Sequence, residues 1–265
     1  MFDTSSGVTL PPSKSLAIYS FGYWGWGTVT KQLVRIMDTA EIARGNVPPF
    51  FVDVRIRRTG RAPGFKEDTF ESLVGSDRYH WEHRLGNIAI VTGAERMKIA
   101  KPAAAADLLN RAIELAKRKQ PVVFFCACEW PRRCHRHIVG NLILKEAKRR
   151  GKKVRVVEWP GGEPILQTVK VSEDDYKKIE KGRKSIVITE NRAKELAGLP
   201  WCTIAEIHAK GKESLYAVTG PPKYEKEGWY LPLPWNKKST GLTLDKVRHL
   251  ARTALRKNGF EPHEA

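Results

Sequence analysis

The chain has 265 residues, 41% of them hydrophobic, enough to bury a sizeable core in one large domain or two ordinary ones. Its formal net charge is +18, from 47 basic against 29 acidic residues, a balance that points to a polyanionic partner. No apolar run approaches a membrane-spanning length, and the polar, proline-containing tail over residues 1–13 lacks a signal layout, so a cytoplasmic protein with no membrane partner is expected.

After that tail, Leu16 to Ser20 is short and strand-prone, and FGYWGWG follows it. Thr28 is placed to cap a helix whose apolar positions Val29, Leu33, Ile36 and Met37 recur at helical spacing. The glycine-rich turn presents amides at a helix start, where an anion can sit, and its aromatics Tyr23, Trp24 and Trp26 can stack on bases. Phe50 to Val54 reads as a second strand with Asp53 near its end. Arg55, Arg57, Arg58 and Arg61 follow in a loop suited to phosphate or carboxylate recognition. Lys66 to Leu73 suggests a short helix, Arg78 to Arg84 an edge strand, and Pro102 to about Lys119 a longer helix with a wide apolar face.

Val122 to His137, VVFFCACEWPRRCHRH, is the most informative stretch: a buried strand that ends in a crowd of Cys, His, Arg and Glu, then runs into a helix that stops near Gly151. Val154 to Val157 makes a fifth strand. Strands alternating with helices predict a Rossmann-like α/β domain over residues 14–160, a doubly wound and mostly parallel sheet with the first and fourth strands as neighbours. WPGGEP at residues 159–164 is a candidate linker. A smaller α+β domain is expected over residues 165–265, with strands near Thr168, Ser185, Thr203 and Tyr216, a short helix at Asp174 to Lys181 and a closing helix from Thr243 to about Lys257, with Gly259 beyond its end. Of the net charge only +5 falls on residues 163–265, 19 basic against 14 acidic, so the excess lies with the cysteine stretch rather than in a basic tail.

The motifs IYSFGY, DVRIRRTGRAPGF, HRLGN and CACEWPRRCHR occur in that order between about Lys14 and Gly162. In these the first domain resembles the domain-of-unknown-function family 488. The resemblance implies a Rossmann-like domain and marks Asp53, Arg55, Arg61, Phe65, Cys126, Cys134, His135 and Arg136 as motif positions, without an agreed reaction. Arg58 and Gly60 depart from the family's usual proline and serine, and Cys128 stands where many members carry a glutamate and some a cysteine. In the C-terminal region, KKIEKGRKSIVI is similar to small RNA-binding domains of the PUA and ASCH type.

Three chemistries suit the cysteine stretch. Cys126, Cys128, Cys134 and either His135 or His137 are ligand types that zinc accepts, His137 completing the set taken as the alternative, although Cys-x-Cys is tighter than usual zinc spacing. Cys126 followed by Arg132 matches the spacing of thiol-nucleophile loops, but Glu129 and Pro131 oppose an anion cradle. The favoured reading needs no cofactor: the cysteines pack, Asp53, Glu129 and His135 act as catalytic groups, and Tyr23, Trp24, Trp26, Arg55, Arg58, Arg61 and Arg136 bind substrate. That reading expects a hydrolase of DNA, ahead of RNA, glycosylase- or nuclease-like, acting on a base, its N-glycosidic bond or the adjoining phosphodiester in repair or modification. Its rivals are a non-catalytic DNA- or RNA-binding protein with a structural Cys/His loop, and a small-molecule thiol enzyme.

Overall fold

A computed structural model describes residues 15–161, 166–197, 203–220, 222–225, 228–236, 242–258 and 263–264. The first half alternates strands and helices: β1 (Leu16–Gly22), α1 (Thr30–Ala43), β2 (Phe50–Asp53), α2 (Thr69–Val74), β3 (Tyr79–Trp81), α3 (Ala89–Thr92), α4 (Ala105–Ala116), β4 (Val122–Cys126), α5 (His135–Arg149) and β5 (Val154–Glu158). The five strands pair in parallel in the order β5-β1-β4-β2-β3, a Rossmann-like α/β sheet. β1 and β4 are neighbours, as expected, with Gly22 opposite Cys126 at their carboxyl ends.

The apolar runs are continuous because both sheet faces are covered. Ile18, Val52, Phe124 and Val156 face Leu108, Leu109, Val139 and Ile143 of α4 and α5. The alternate residues Tyr19, Phe51, Phe125 and Val157 face Leu33, Val34, Met37 and Phe70 of α1 and α2. After β1 the chain crosses toward β2, and after β4 it crosses the other way toward β5. The crevice beyond the carboxyl ends of β1 and β4 is therefore the topological switch point, where open α/β sheets place ligands.

The later chain forms β6 (Leu166–Lys170), α6 (Glu173–Glu180), β7 (Ser185–Ile188), α7 (Glu190–Ala197), β8 (Ile204–His208), β9 (Leu215–Val218), β10 (Lys223–Glu225), β11 (Gly228–Pro232), α8 (Leu244–Asn258) and β12 (His263–Glu264). Two three-stranded sheets, β6-β8-β9 and β10-β11-β7, share a core that includes Val169, Tyr176, Ile186, Ile207, Leu215 and Leu231. The short β12 returns to the first sheet and pairs antiparallel with β5. This unit also packs on the first one: Trp229 meets Trp26 edge-on at 5.5 Å, and the amide of Tyr224 donates to the carbonyl of Gly25.

Three local expectations change. Thr28 does not cap α1; the N-cap is Val29, and the Thr30 hydroxyl bonds back to the carbonyls of Trp26 and Gly27. The candidate linker begins as core, since Trp159 is buried and its indole donates to Glu41; residues 162–164 lie outside the described residues, as do the 1–13 tail and Gly259. α3, α7, β10, β11 and β12 are not among the elements the sequence predicts, because each is short and lacks an apolar period long enough to read. Among the described residues, no helix is long and apolar enough to cross a membrane.

Candidate functional site

The motif residues at the end of β2 turn inward. Asp53 is fully buried and grips Arg55 through Nε at 2.8 Å, Nη2 at 2.5 Å and the backbone amide at 3.0 Å, and it also accepts the Tyr79 hydroxyl at 3.0 Å. The far side of the Arg55 guanidinium donates to the Tyr23 hydroxyl at 2.9 Å and to the Phe65 carbonyl at 2.7 Å. Tyr23 in turn stacks on Phe65 with ring centroids 3.8 Å apart. Burial, opposed by Arg55, pushes the Tyr23 phenol up to about 12. The spacing Asp-x-Arg followed by Phe thus closes the loop onto β1 and covers the α1 start, where the Gly64 amide donates to the Gly27 carbonyl. At that glycine turn the amides of Tyr23, Trp26 and Val29 donate to the carbonyls of Cys126, Tyr23 and Trp26, so these three are not available to an anion. Arg55 and Tyr23 are engaged internally rather than offered to a substrate.

Arg136 is likewise internal. It is wholly buried at the start of α5, pairs with Glu158 of β5 at 2.9 Å, and donates to the carbonyls of Cys128 at 2.5 Å and Glu129 at 2.8 Å. This one guanidinium holds the loop after β4 against the end of β5. Ser20 of β1 donates a short hydrogen bond to the other carboxylate oxygen of Glu158. Desolvation raises the Glu158 carboxyl above its ordinary range, against the opposing pull of Arg136 and Ser20.

Above this pair, at the switch point, lies a cavity of about 160 Å³. Phe21, Trp24, Trp26, Trp130 and Trp159 line it, Glu129 and Glu158 supply carboxylates, and Lys184 and Lys223 enter from the second unit. Lys223 forms an ion pair with Glu129 that joins the two units across the cavity rim. A dry cavity of roughly 150 Å³ is enough for benzene, so this space matches one planar ring rather than a large cofactor. Trp24 is 58% exposed and open to stacking. Gly22 is required here by close approach, since a Cβ would collide with the Cys128 carbonyl oxygen and crowd Arg136. Gly22→Ala should therefore push the 127–130 loop off the cavity, lowering the melting temperature and letting acrylamide quench more of the tryptophan emission than in the wild type; an unchanged pair of values would contradict it.

The third feature is the cysteine corner. Cys126 at the end of β4, Cys134 at the N-cap of α5 and His135 are buried, and their ligand atoms lie within 4.8 Å of one another. This group could hold a metal. Cys128, half-buried, stands beside the trio, and burial together with its two cysteine neighbours pushes its thiol up. Although the hydrogen bond with Cys128 pulls the Cys126 thiol down, the one with Cys134 and burial push it up to about 12. Cys126 and Cys128 pull the Cys134 thiol well below its ordinary range.

The structure gathers only part of the expected set. Trp24, Trp26 and Glu129 meet at the cavity. Asp53, Arg55 and Tyr23 form the separate buried network, and His135 is buried with the Val54 carbonyl 2.7 Å from its Nε2. Arg61 is exposed on the loop, whereas Arg58 pairs with Glu71 at 2.9 Å and lies over the Trp81 ring. His137 is not in the metal-competent trio; one helical turn on, its Nε2 lies 3.4 Å from Asn141 Nδ2, and His135 occupies the position against the sulfurs. Glu158, Trp130, Trp159, Lys184 and Lys223 line the cavity without a site role predicted from the sequence. Glu158 alone carried a signal, an acidic residue closing the buried run VRVVE.

Fold and site together define an α/β protein with a doubly wound parallel sheet and an aromatic, carboxylate-bearing cavity at its switch point. No protein-family profile, curated protein or solved structure matches the chain.

Proposed function

We propose that this is a nucleic-acid-directed enzyme of repair or modification, DNA ahead of RNA, that acts on an extruded base, its N-glycosidic bond or the adjoining phosphodiester. The observation that carries this reading is the ring-sized cavity lined by four tryptophans and two carboxylates on a chain of net charge +18. Enzymes that work on a base take it out of the stack, hold it between aromatic faces and read its edge with polar groups. In this reading the base stacks on exposed Trp24 above a floor that buried Trp26 supports, and Glu158 hydrogen-bonds its edge. Glu129, at the rim, directs a water: as the C1′–N bond breaks the electron pair leaves with the base, water oxygen bonds to C1′, and its proton passes to the carboxylate. Exposed Arg57, Arg61, Arg132 and Arg133 suit the flanking phosphates.

Incubation with duplexes carrying damaged or modified bases, resolved with and without alkali, tests the reaction. Alkali-dependent breaks indicate base release, direct breaks strand cleavage, and no product from any duplex removes the enzymatic reading. Trp24→Ala should weaken single-strand or mismatched-duplex binding about 5- to 150-fold, the equivalent of losing one stacked base at roughly 1–3 kcal/mol. Fluorescence anisotropy checks this; affinity that ignores both the substitution and added salt would oppose a polynucleotide ligand.

The buried Cys/His corner favours a second reading, a non-catalytic nucleic-acid-binding protein whose loop is held by zinc. It predicts salt-sensitive binding without turnover. A thiol enzyme draws less support, because Cys126 and Cys134 are both buried away from any substrate.

A further inference from the structure

We propose that Cys126, Cys128, Cys134 and His135 form a closed, tetrahedral zinc centre that ties the end of β4 to the start of α5. The inference stands on geometry and does not depend on the nucleic-acid reading. A carbonyl only accepts, so the 2.7 Å contact between His135 Nε2 and the Val54 oxygen fixes the ring proton on Nε2. Nδ1 then points at the sulfurs, at 3.6 Å from Cys126 and 3.7 Å from Cys134. A backbone carbonyl that sets the tautomer and aim of a histidine ring is the usual outer partner of a metal-ligating imidazole.

The two distances also have the right size. Zinc–sulfur bonds of about 2.3 Å and zinc–nitrogen bonds of about 2.0–2.1 Å at a tetrahedral angle put nitrogen and sulfur about 3.6 Å apart. One nitrogen cannot make a directed hydrogen bond to two sulfurs equally, but a metal between the three atoms satisfies all of them. Cys126 and Cys134 are free thiols, whereas Cys128, half-buried beside them, lies outside the 4.8 Å group and would turn its side chain inward to supply the fourth ligand. The tight Cys-x-Cys spacing ceases to be an obstacle, because the strand end and the helix N-cap bring positions 126 and 134 together. The start of α5 adds favourable potential for thiolates.

With four protein ligands the centre has no open position, so its role is structural. It would set the 127–134 loop, which delivers Glu129 and Trp130 to the cavity.

The test uses the full-length chain, dialysed against chelator and then titrated with zinc or cobalt(II). Expected are about one bound metal per chain by elemental analysis and, with cobalt, a sulfur-to-cobalt charge-transfer band with the visible bands of a tetrahedral site. Cys128→Ser should lower the charge-transfer band by about a third, as one of three thiolates is lost, and His137→Ala should leave it intact. A wild-type chain that is folded by circular dichroism yet gives no sulfur-to-cobalt band overturns the centre, whatever the variants do. An undiminished band in Cys128→Ser, or its loss in His137→Ala, overturns the ligand assignment.

Discussion

Arg136→Met should cost the fold about 3–5 kcal/mol, the penalty for stranding one partner of a buried ion pair. The stranded partner is Glu158, whose carboxylate would keep only Ser20, and the carbonyls of Cys128 and Glu129 would lose their donor as well. The loss should depend on pH with a definite sign. Glu158 already binds its proton more tightly in the folded chain than in the unfolded one, so its contribution is fully present below the unfolded carboxyl pKa and fades as pH rises through the folded value. Removing Arg136 moves the folded value further up. The deficit of the variant against wild type should therefore be largest near neutral pH and shrink as pH falls toward the unfolded carboxyl pKa, where Glu158 is neutral in both states. Urea denaturation of both chains at several pH values measures this, and a deficit that is small or flat with pH would mean that the pair is not the loop's anchor. Arg136→Met/Glu158→Leu should recover much of the loss, since an apolar pair leaves no buried charge behind.

Asp53→Ala should be of similar size, about 3–5 kcal/mol, for the same reason at a different place. It strands the buried Arg55, frees the Tyr79 hydroxyl and loosens the loop that Arg55 bonds at the Phe65 carbonyl. A lower urea midpoint at constant slope would register the loss. Asp53→Asn separates support from chemistry, because it keeps the shape and removes the charge. If Asp53 acts through the fold, the variant loses stability in step with any loss of turnover; full stability with abolished turnover would return Asp53 to the reaction. The double variant Asp53→Ala/Arg55→Met should fall short of the sum of the single losses, as expected for residues that share one contact.

Both sites show how a motif can be legible while its role is not. Asp53, Arg55, Phe65, Cys126, Cys134, His135 and Arg136 are positions that the motif resemblance marks, and the structure collects them at the carboxyl edge of the sheet. Charge alone suggests that the arginines await an anion. In the folded chain Arg55 and Arg136 already have one each, in Asp53 and Glu158. The Glu158 partner is 22 residues from Arg136 and lies on another strand, so no local spacing announces it. Lys223 is more remote still, 94 residues from Glu129.

What the sequence determined by itself was the alternation of elements: strands buried on both faces read as unbroken apolar runs, helices as 3.6-residue stripes, and these periods depend only on neighbours along the chain. From them followed the parallel α/β sheet, while the adjacency of β1 and β4, an expectation that no period along the chain fixes, is settled by the strand pairing. Tertiary structure alone decided which charges were spent inside, which of His135 and His137 met the sulfurs, and where the tryptophans of three separate segments closed a cavity. Those outcomes turn on distances of a few ångströms between residues far apart in sequence, where desolvation and pairing, rather than residue type, set what each side chain can do.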